Sequence, residues 1–301
     1  MKRISIQGLL ILLLALPQAA SATLNVLACE PEWGALTREL GGDKVKVYDA
    51  THALQNPHRI EAKPSLIAQA RKADLLVCTG AELEIGWLPL LLRQSGNGKI
   101  QPGQSGYFEA AAFVRKLEIP TRIDRADGDI HPGGNPHIHL DARNIGLVAT
   151  ALARQLALVD PDNTAYYQQR HTDFSSRWQS AVQRWEQQAA PLKGVPVVVQ
   201  HRGFPYLSDW LGLNEVAALE AKPGLEPSSS HLASVLAQLK KNPARMVIRA
   251  AYQQDRPSRW ISEHAGIKGV ELPYTVGGSS GAKDLFGLFD DTIARLLEAA
   301  K

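Results

Sequence analysis

The sequence predicts an α/β fold of two doubly wound, Rossmann-like lobes with parallel sheets, joined by one long and rigid interlobe helix. Short runs rich in Val, Ile and Leu alternate with segments of helical period, which is the pattern of parallel sheets covered by helices. This alternation occurs twice, once in each half of the 301 residues. Between the halves, residues 164–190 contain neither glycine nor proline, so they predict a single helix.

The first half predicts three strands and three helices. Pro64 suits a first helical turn, where a missing N–H is tolerated, and Gly41-Gly42 suits a helix end. The predicted strands are 24–29, 44–50 and 73–78, and the predicted helices are 32–40, 64–73 and 84–94.

The second half repeats this scheme with one more strand. Its apolar runs are again separated by segments of helical period. The predicted strands are 195–201, 215–219, 245–252 and 269–276, and the predicted helices are 205–211, 231–241, 257–265 and 283–299.

The interlobe helix is predicted to be stiff. It follows the cap-like sequence Asp160-Pro161-Asp162-Asn163 and is about 27 residues long, roughly 40 Å at 1.5 Å per residue. Flexible linkers are instead rich in glycine, serine or proline. We therefore expect a cleft whose shape changes little. The predicted segments are a signal peptide (1–22), an N-terminal α/β lobe (23–160), the interlobe helix (161–190) and a C-terminal α/β lobe (191–301).

The first 22 residues predict export to the periplasm. Lys2 and Arg3 precede the apolar run 9–16, and Ala20-Ser21-Ala22 offers a signal-peptidase site, so we expect cleavage near Ala22. The apolar run is too short to span a bilayer, which needs about 20 residues. Loss of Lys2 and Arg3 lowers the formal net charge from +3 to +1, so nucleic acid is not an expected partner.

The two cysteines allow more than one state. Val26-Leu27-Ala28-Cys29 is similar to a lipidation site, but twelve residues separate Cys29 from the apolar run, so we do not expect a lipid anchor there. Cys29 and Cys78 each end a strand-like run. An oxidising compartment lets them form a disulfide if they are neighbours, and two buried thiols are the alternative.

Three of the nine histidines occupy positions typical of ligands. His58 lies in the loop after the second strand, His137 in a loop before a helix-like run, and His201 at the end of a strand. Such positions open toward the expected cleft. Both His58 and His137 follow Asn-Pro, and the proline makes the turn stiff. Three converging neutral imidazoles are typical of a site for a borderline metal.

These segments resemble a known family of solute receptors. "NPHRIEAKPSLIAQARKADLLVCTGAELEIGWL", "GNPHIHLDARN", the interlobe helix and "HRGFPYLSDWLGL" look like the zinc- and manganese-binding receptors that feed ATP-driven importers. The resemblance covers nearly all of the chain after the signal segment. It implies metal ligands at His58, His137 and His201, and an ABC permease with its ATPase subunit as partners. We expect a monomer.

The departures from the family pattern bear on the choice of metal. Both Asp-Pro-His motifs of the family read Asn-Pro-His here, and no carboxylate occurs before Asp284 where the family often has a fourth ligand. We expect water or a loosely placed group there, with Asp284 as a further candidate. Three imidazoles favour Zn²⁺ as the transported ligand over Mn²⁺, which prefers carboxylate oxygen. Glu61 is a candidate to hydrogen bond to one of these ligands and orient it, or it is an exposed helix-start residue.

Two more histidines lie close to these motifs. His139 stands where the family commonly has an aromatic residue, and it alternates with His137. If the segment is extended, its ring points away from the ion, so it is a weaker ligand candidate. His131 lies in a glycine-rich loop where the family sometimes has a histidine-rich segment, but one histidine is a poor metal trap.

Two other functions use the same residues. An exported zinc-dependent hydrolase with a three-histidine, one-water site needs a general base, and the chain has no His-Glu-x-x-His segment. Gly277-Gly278-Ser279-Ser280-Gly281 fits a nucleophile-elbow pattern, but no histidine follows it. A metal-stabilised adhesin or scaffold would unfold on chelation, whereas a receptor stays folded when empty. Circular dichroism after chelation separates these last two.

Overall fold

Two four-stranded parallel sheets organise the protein. The structure is a computed structural model that describes residues 23–122, 128 and 131–301, so the predicted signal segment lies outside the described residues. The strands are β1 (Leu24–Ala28), β2 (Val45–Asp49), β3 (Leu75–Cys78), β4 (Tyr107–Glu109), β5 (Pro196–Val199), β6 (Asn214–Ala218), β7 (Met246–Ala250) and β8 (Lys268–Leu272). Their orders are β2-β1-β3-β4 and β6-β5-β7-β8, with every neighbouring pair parallel.

Helices cover both faces of each sheet, which confirms the predicted doubly wound α/β class. The helices are α1 (Pro31–Gly41), α2 (Pro64–Lys72), α3 (Leu88–Ser95), α4 (Ala142–Val159), α5 (Thr164–Ala189), α6 (Pro205–Leu211), α7 (Ser229–Leu239), α8 (Arg256–Ala265) and α9 (Leu285–Ala300). In β1, Val26 packs in the core beneath α1 and α4, whereas its neighbour Leu27 packs in the core beneath α2 and α3. A strand buried on both faces reads as a continuous apolar run, which is why β1 was predictable.

The long helix α5 shares one apolar core with both halves of the chain. It packs against α1 and α4 of the first half and against α9 of the second half. The Nε1 of Trp178 donates to the Ala142 carbonyl at 2.7 Å, and the Nε1 of Trp185 donates to Asp290 Oδ1 at 2.6 Å. Two buried indoles on one helix therefore hold the two lobes. The long helix is confirmed, and the exact domain limits stay a prediction.

Three elements differ clearly from the sequence-based expectation, and one of them is β8, which was predicted to reach residue 276 and ends at Leu272. The helix predicted to begin at residue 84 begins at Leu88, because Ala81 and Glu82 adopt positive φ values of 49° and 65° and the chain first turns. Strand β4 was not predicted. It has only three residues, which is too short to show a period of two.

Cys29 and Cys78 form a disulfide between the ends of β1 and β3. Both side chains are fully buried. The parallel register that places Ala28 beside Val77 brings the next residue of each strand together. Of the two states left open by the sequence, the structure has the bonded one.

Among the described residues, no helix combines the length and the apolar character needed to cross a membrane.

Candidate metal centre

His58 and His137 are each positioned by a turn of the same type. The side-chain Oδ1 of Asn56 accepts a hydrogen bond from the His58 N–H at 3.0 Å, and the Oδ1 of Asn135 accepts one from the His137 N–H at 3.1 Å. This is an Asx turn, in which a side chain two residues upstream closes the loop. The asparagines that replace the family's aspartates therefore keep the acceptor that shapes each turn.

The two turns are also fixed to their surroundings. The Pro57 carbonyl accepts a hydrogen bond from the buried Trp87 Nε1 at 2.9 Å. The Asn135 Nδ2 donates to the Arg202 carbonyl at 2.8 Å and to Glu118 Oε2 at 2.9 Å. An aspartate at position 135 has no such donor, so this asparagine adds a link from the first half of the chain to the second.

His201 follows β5 and is oriented by an acidic partner. Its Nδ1 lies 2.7 Å from Glu220 Oε2, and the same carboxylate oxygen accepts a hydrogen bond from the Gly224 N–H at 2.7 Å. Glu220 follows β6, the neighbour of β5 in the sheet. A carboxylate on one ring nitrogen fixes the tautomer and directs the other nitrogen, Nε2, away from it.

The three predicted rings lie together in the cleft. One donor atom of each of His58, His137 and His201 lies within 4.8 Å of the other two. Their ring centroids are 5.4 Å apart for His58 and His137, 6.1 Å for His58 and His201, and 5.6 Å for His137 and His201. His137 and His201 are buried, and His58 is partly buried. Such an arrangement can present three nitrogen donors to one cation.

Burial keeps two of these rings neutral. Desolvation lowers the pKa of His58 well below its usual value, and nearby imidazoles lower it further. Desolvation, followed by the neighbouring histidines, also lowers the pKa of His137 well below the usual value. His58 Nε2 and His137 Nδ1 are buried and have no hydrogen-bond partner. Buried polar atoms are normally satisfied, so an unpaired ring nitrogen marks a site for a ligand.

The further candidates lie outside this three-histidine group. The Asp284 side chain accepts a hydrogen bond from the Gly287 N–H at 2.8 Å, so it caps α9. Glu61 is exposed in the loop before α2. A second group of metal-ligating residue types consists of Cys29, Cys78 and Glu84, but its two sulfurs are bonded to each other.

His139 contacts other groups than the three rings. Its Nε2 lies 3.0 Å from the Tyr274 carbonyl, and its Nδ1 lies 3.4 Å from Glu32 Oε1. Its ring centroid is 6.5 Å from that of His137. The expected reason for this orientation was wrong, because residues Ile138–Leu140 form a 3₁₀ turn and not an extended segment.

Sequence reasoning missed two neighbours of the site. Glu220 lies 19 residues beyond His201 and meets it only because β5 and β6 are adjacent. The His131 ring lies 5.1 Å from the His58 ring, centroid to centroid. Its position in a glycine-rich loop gave no sign of this contact, whereas an acid after a predicted strand was a usable signal for Glu220.

The fold and the cleft define a class. Two doubly wound parallel-sheet lobes, a long connecting helix and three imidazoles in the cleft fit a metal-binding receptor of an ABC importer, and the family match assigns the chain to that class. Residues 26–299 match the family described as "ZnuA: Zinc-uptake complex component A periplasmic", and the chain belongs to this family. The family consists of extracytoplasmic receptors and not of enzymes, so the hydrolase alternative is set aside.

Two relatives from streptococci show the range of the family. The metal ABC transporter substrate-binding lipoprotein SloC of Streptococcus mutans is 22% identical over 255 residues, covering 83% of this chain and 80% of the relative. The manganese ABC transporter substrate-binding lipoprotein PsaA of Streptococcus pneumoniae is also 22% identical over 255 residues, covering 83% and 79%. The description of both as lipoproteins conflicts with the prediction that Cys29 carries no lipid.

Solved structures confirm the fold. A crystal structure of ZnuA superposes with a TM-score of 0.77 at 23% identity, covering 93% of this chain and all of the other. A manganese-bound periplasmic metal-binding protein from Candidatus Liberibacter asiaticus superposes with a TM-score of 0.75 at 15% identity, with the same coverage of both chains.

Proposed function

We propose that the protein captures Zn²⁺ in the interlobe cleft through His58, His137 and His201 and delivers it to an ABC permease driven by an ATPase. The observation that carries this proposal is a group of three imidazoles without a carboxylate among its members, in which His58 and His137 each have a buried, unpaired ring nitrogen. Nitrogen donors suit zinc, and manganese prefers oxygen. Donor atoms around a tetrahedral zinc ion lie about 3.4 Å apart. Small ring rotations that move each nitrogen by about 1 Å bring the three donors to that spacing.

The donor set favours zinc although one relative is described as a manganese receptor. A manganese site is built from carboxylate, carbonyl and water oxygens. In this group every protein donor is a ring nitrogen, and the nearest acid, Glu220, hydrogen bonds to a ring and is not itself a member. The remaining coordination position takes a donor from outside the group.

The proposal is tested by replacing one ring. His137→Ala removes a proposed direct ligand. Groups that only hydrogen bond to a metal ligand already change metal affinity 10–100-fold, so we expect a loss of more than about 100-fold for Zn²⁺. Isothermal titration calorimetry on the purified chain measures it. His264→Ala is the matched control, because His264 is exposed on α8 and stacks on Trp260.

The metal preference is measured in the same experiment. We expect Zn²⁺ to bind at least ten times more tightly than Mn²⁺. Equal or tighter binding of Mn²⁺, or unchanged zinc affinity in His137→Ala, would contradict the proposal.

We further propose that the receptor is a periplasmic monomer released after cleavage near Ala22. In the structure the Cys29 sulfur is bonded to Cys78 and fully buried, and such a sulfur cannot also carry a lipid thioether. The lipoprotein relatives are the observation against this part of the proposal.

A further inference from the structure

The cleft is much larger than a metal ion requires. Two cavities adjoin the three imidazoles. One of about 400 Å³ is lined by His137 and His201, and one of about 750 Å³ is lined by His58 and His201. A water molecule takes about 30 Å³, and pockets of 300–1,000 Å³ typically hold small organic ligands. The larger cavity therefore has room for a molecule bound next to the ion.

The charges around the cleft do not favour a bare dipositive ion. Among the residues that the structure describes, four basic and three acidic residues line the two cavities. The basic residues are Arg59, Arg202, Lys222 and Arg256, and the acidic ones are Glu118, Glu220 and Glu226. A cleft attracts ions of the sign opposite to its lining. The described part of this lining has no negative excess to attract Zn²⁺, and it suits zinc that arrives with an anion.

Two of the three acids, Glu220 and Glu118, already have partners. Glu220 accepts hydrogen bonds from Gly224 N–H and pairs with His201 Nδ1. Glu118 accepts a hydrogen bond from Asn135. Three neutral imidazoles leave the charge of a bound Zn²⁺ uncompensated, and a buried charge is costly unless it is paired. An anionic donor at the fourth position would supply that pairing.

The larger cavity offers groups that fit a small organic acid. Arg256 begins α8 and lines the cavity. Gln200 also lines it and is only 4% exposed. Its Nε2 donates to the Gln254 carbonyl at 2.9 Å, and its Oε1 is buried without a hydrogen-bond partner. A guanidinium recognises a carboxylate, and an unpaired amide oxygen accepts a hydrogen bond from an amine or hydroxyl. Trp260 adds an apolar wall.

We propose that the cleft binds zinc together with a small chelating organic acid, an α-amino acid or a hydroxycarboxylate, whose donor atom completes the zinc coordination. The rest of the chelator occupies the 750 Å³ cavity, with its carboxylate at Arg256 and its amine or hydroxyl at Gln200. This inference rests on the proposed zinc-binding function. No covalent bond of the chelator is made or broken.

The experiment uses L-histidine and citrate as probes of the two chemical classes. Each is titrated by calorimetry into zinc-loaded and into metal-free protein, and the mixtures are then weighed by native mass spectrometry. We expect a one-to-one-to-one complex of protein, zinc and chelator, with at least tenfold tighter chelator binding when zinc is present. By linkage, the chelator then raises zinc affinity by the same factor.

A pair of arginine variants on one helix tests the location. Arg256→Gln should weaken chelator binding to the zinc-loaded protein about tenfold, because a charge-assisted hydrogen bond is lost. Zinc affinity without chelator should stay within twofold. Arg259→Gln is the matched control, since Arg259 lies on α8 outside the cavity and pairs with Asp255.

Three results overturn the inference while leaving zinc binding intact. In the first, zinc-loaded protein binds neither probe. In the second, the probes remove the zinc and leave metal-free protein. In the third, Arg256→Gln binds the chelator as tightly as Arg259→Gln does. If the protein without chelator fails to bind zinc at all, the proposed function itself is overturned.

Discussion

The protonation state of single imidazoles decides whether the site can accept a cation. A ring nitrogen binds metal only without its proton. Burial, the largest cause, lowers the pKa of both His58 and His137 well below the usual value near 6.5, so these rings are neutral in mildly acidic solution without help from an acid. The two rings therefore keep an unprotonated nitrogen available for a metal at a pH at which free histidine is protonated.

This burial lowers the pH at which we expect zinc affinity to begin to fall. From the sequence we expect affinity to fall as pH drops through about 6.5, the pKa of an unperturbed ring. With the lowered pKa of His58 and His137, we now expect the fall to begin below that value, because protons compete only near the lowered pKa. Calorimetric titration of Zn²⁺ between pH 7.5 and pH 4.5 measures it. An affinity that has already dropped tenfold at pH 6.5, or that stays flat to pH 4.5, would contradict histidine ligation with buried rings.

Residue patterns identified the three candidate ligands, but they did not identify which residues contact those ligands. His58 and His137 each follow Asn-Pro, and His201 ends an apolar run, so local sequence was sufficient. The position of Glu220 after a predicted strand was a usable signal, but its pairing with His201 depends on sheet order. His131 reaches His58 by a loop path that a single sequence does not encode locally.

At the scale of elements, the ends of β1 and β3 carry a buried acid pair beside the disulfide. Glu30 follows β1, and Glu84 precedes α3; both are almost fully buried. Glu84 accepts hydrogen bonds from the Thr79 N–H at 2.7 Å and the Gly80 N–H at 3.1 Å. Desolvation raises the pKa of Glu84 to about 7, and desolvation with the nearby Glu84 raises the pKa of Glu30 well above its usual value.

This pair explains why the helix prediction failed here. The segment 84–94 has helical period, but the Glu84 carboxylate binds backbone N–H groups five and four residues before it. The chain must loop back to allow this, so Ala81 and Glu82 take positive φ and α3 begins only at Leu88. A local hydrogen bond from backbone to side chain therefore competes with the helix and overrides the helical period.

The acid pair predicts a stability that falls with rising pH. A carboxyl group whose folded pKa is raised favours the folded state fully below its unfolded pKa, near 4.5, and loses this contribution as pH rises to about 7. Glu84→Gln keeps an acceptor for Thr79 and cannot ionise. We expect it to match the wild type at pH 4.5 and to exceed its free energy of unfolding at pH 8 by up to about 3 kcal/mol, at 1.36 kcal/mol per pKa unit.

Urea unfolding at the two pH values measures this difference. Glu82→Gln is the matched control, because Glu82 is exposed in the same turn and should leave the free energy of unfolding unchanged. A Glu84→Gln protein that is equally destabilised at both pH values would show that Glu84 is ionised in the fold.

At the scale of the whole molecule, one core runs from the first sheet through α5 to the second sheet. The sequence predicted the helix because its aromatic residues repeat at helical spacing, and it predicted both sheets because fully buried strands read as apolar runs. The sequence could not show that the Trp178 and Trp185 indoles donate hydrogen bonds to different lobes, because their acceptors, Ala142 and Asp290, lie 36 and 105 residues away.

This shared core predicts that zinc capture involves little movement of the lobes. Hinge closure needs a few connecting residues that absorb large φ/ψ changes, and a packed 26-residue helix offers none in its interior. A chain of this size has a radius of gyration of about 19 Å, and we expect it to change by less than about 0.5 Å on zinc binding. Small-angle X-ray scattering with and without zinc measures it.

A variant of α5 tests whether the packed helix is what limits movement of the lobes. Trp185→Ala removes a fully buried indole and its bond to Asp290, which should cost about 3–5 kcal/mol of stability and enlarge the zinc-dependent change in radius of gyration. Trp260→Ala, at a half-buried position on α8 away from α5, should leave that change as in the wild type. A contraction of 1 Å or more in the wild type would contradict the stiff helix, because only rotation of one lobe against the other can shorten the molecule so far while each sheet stays intact.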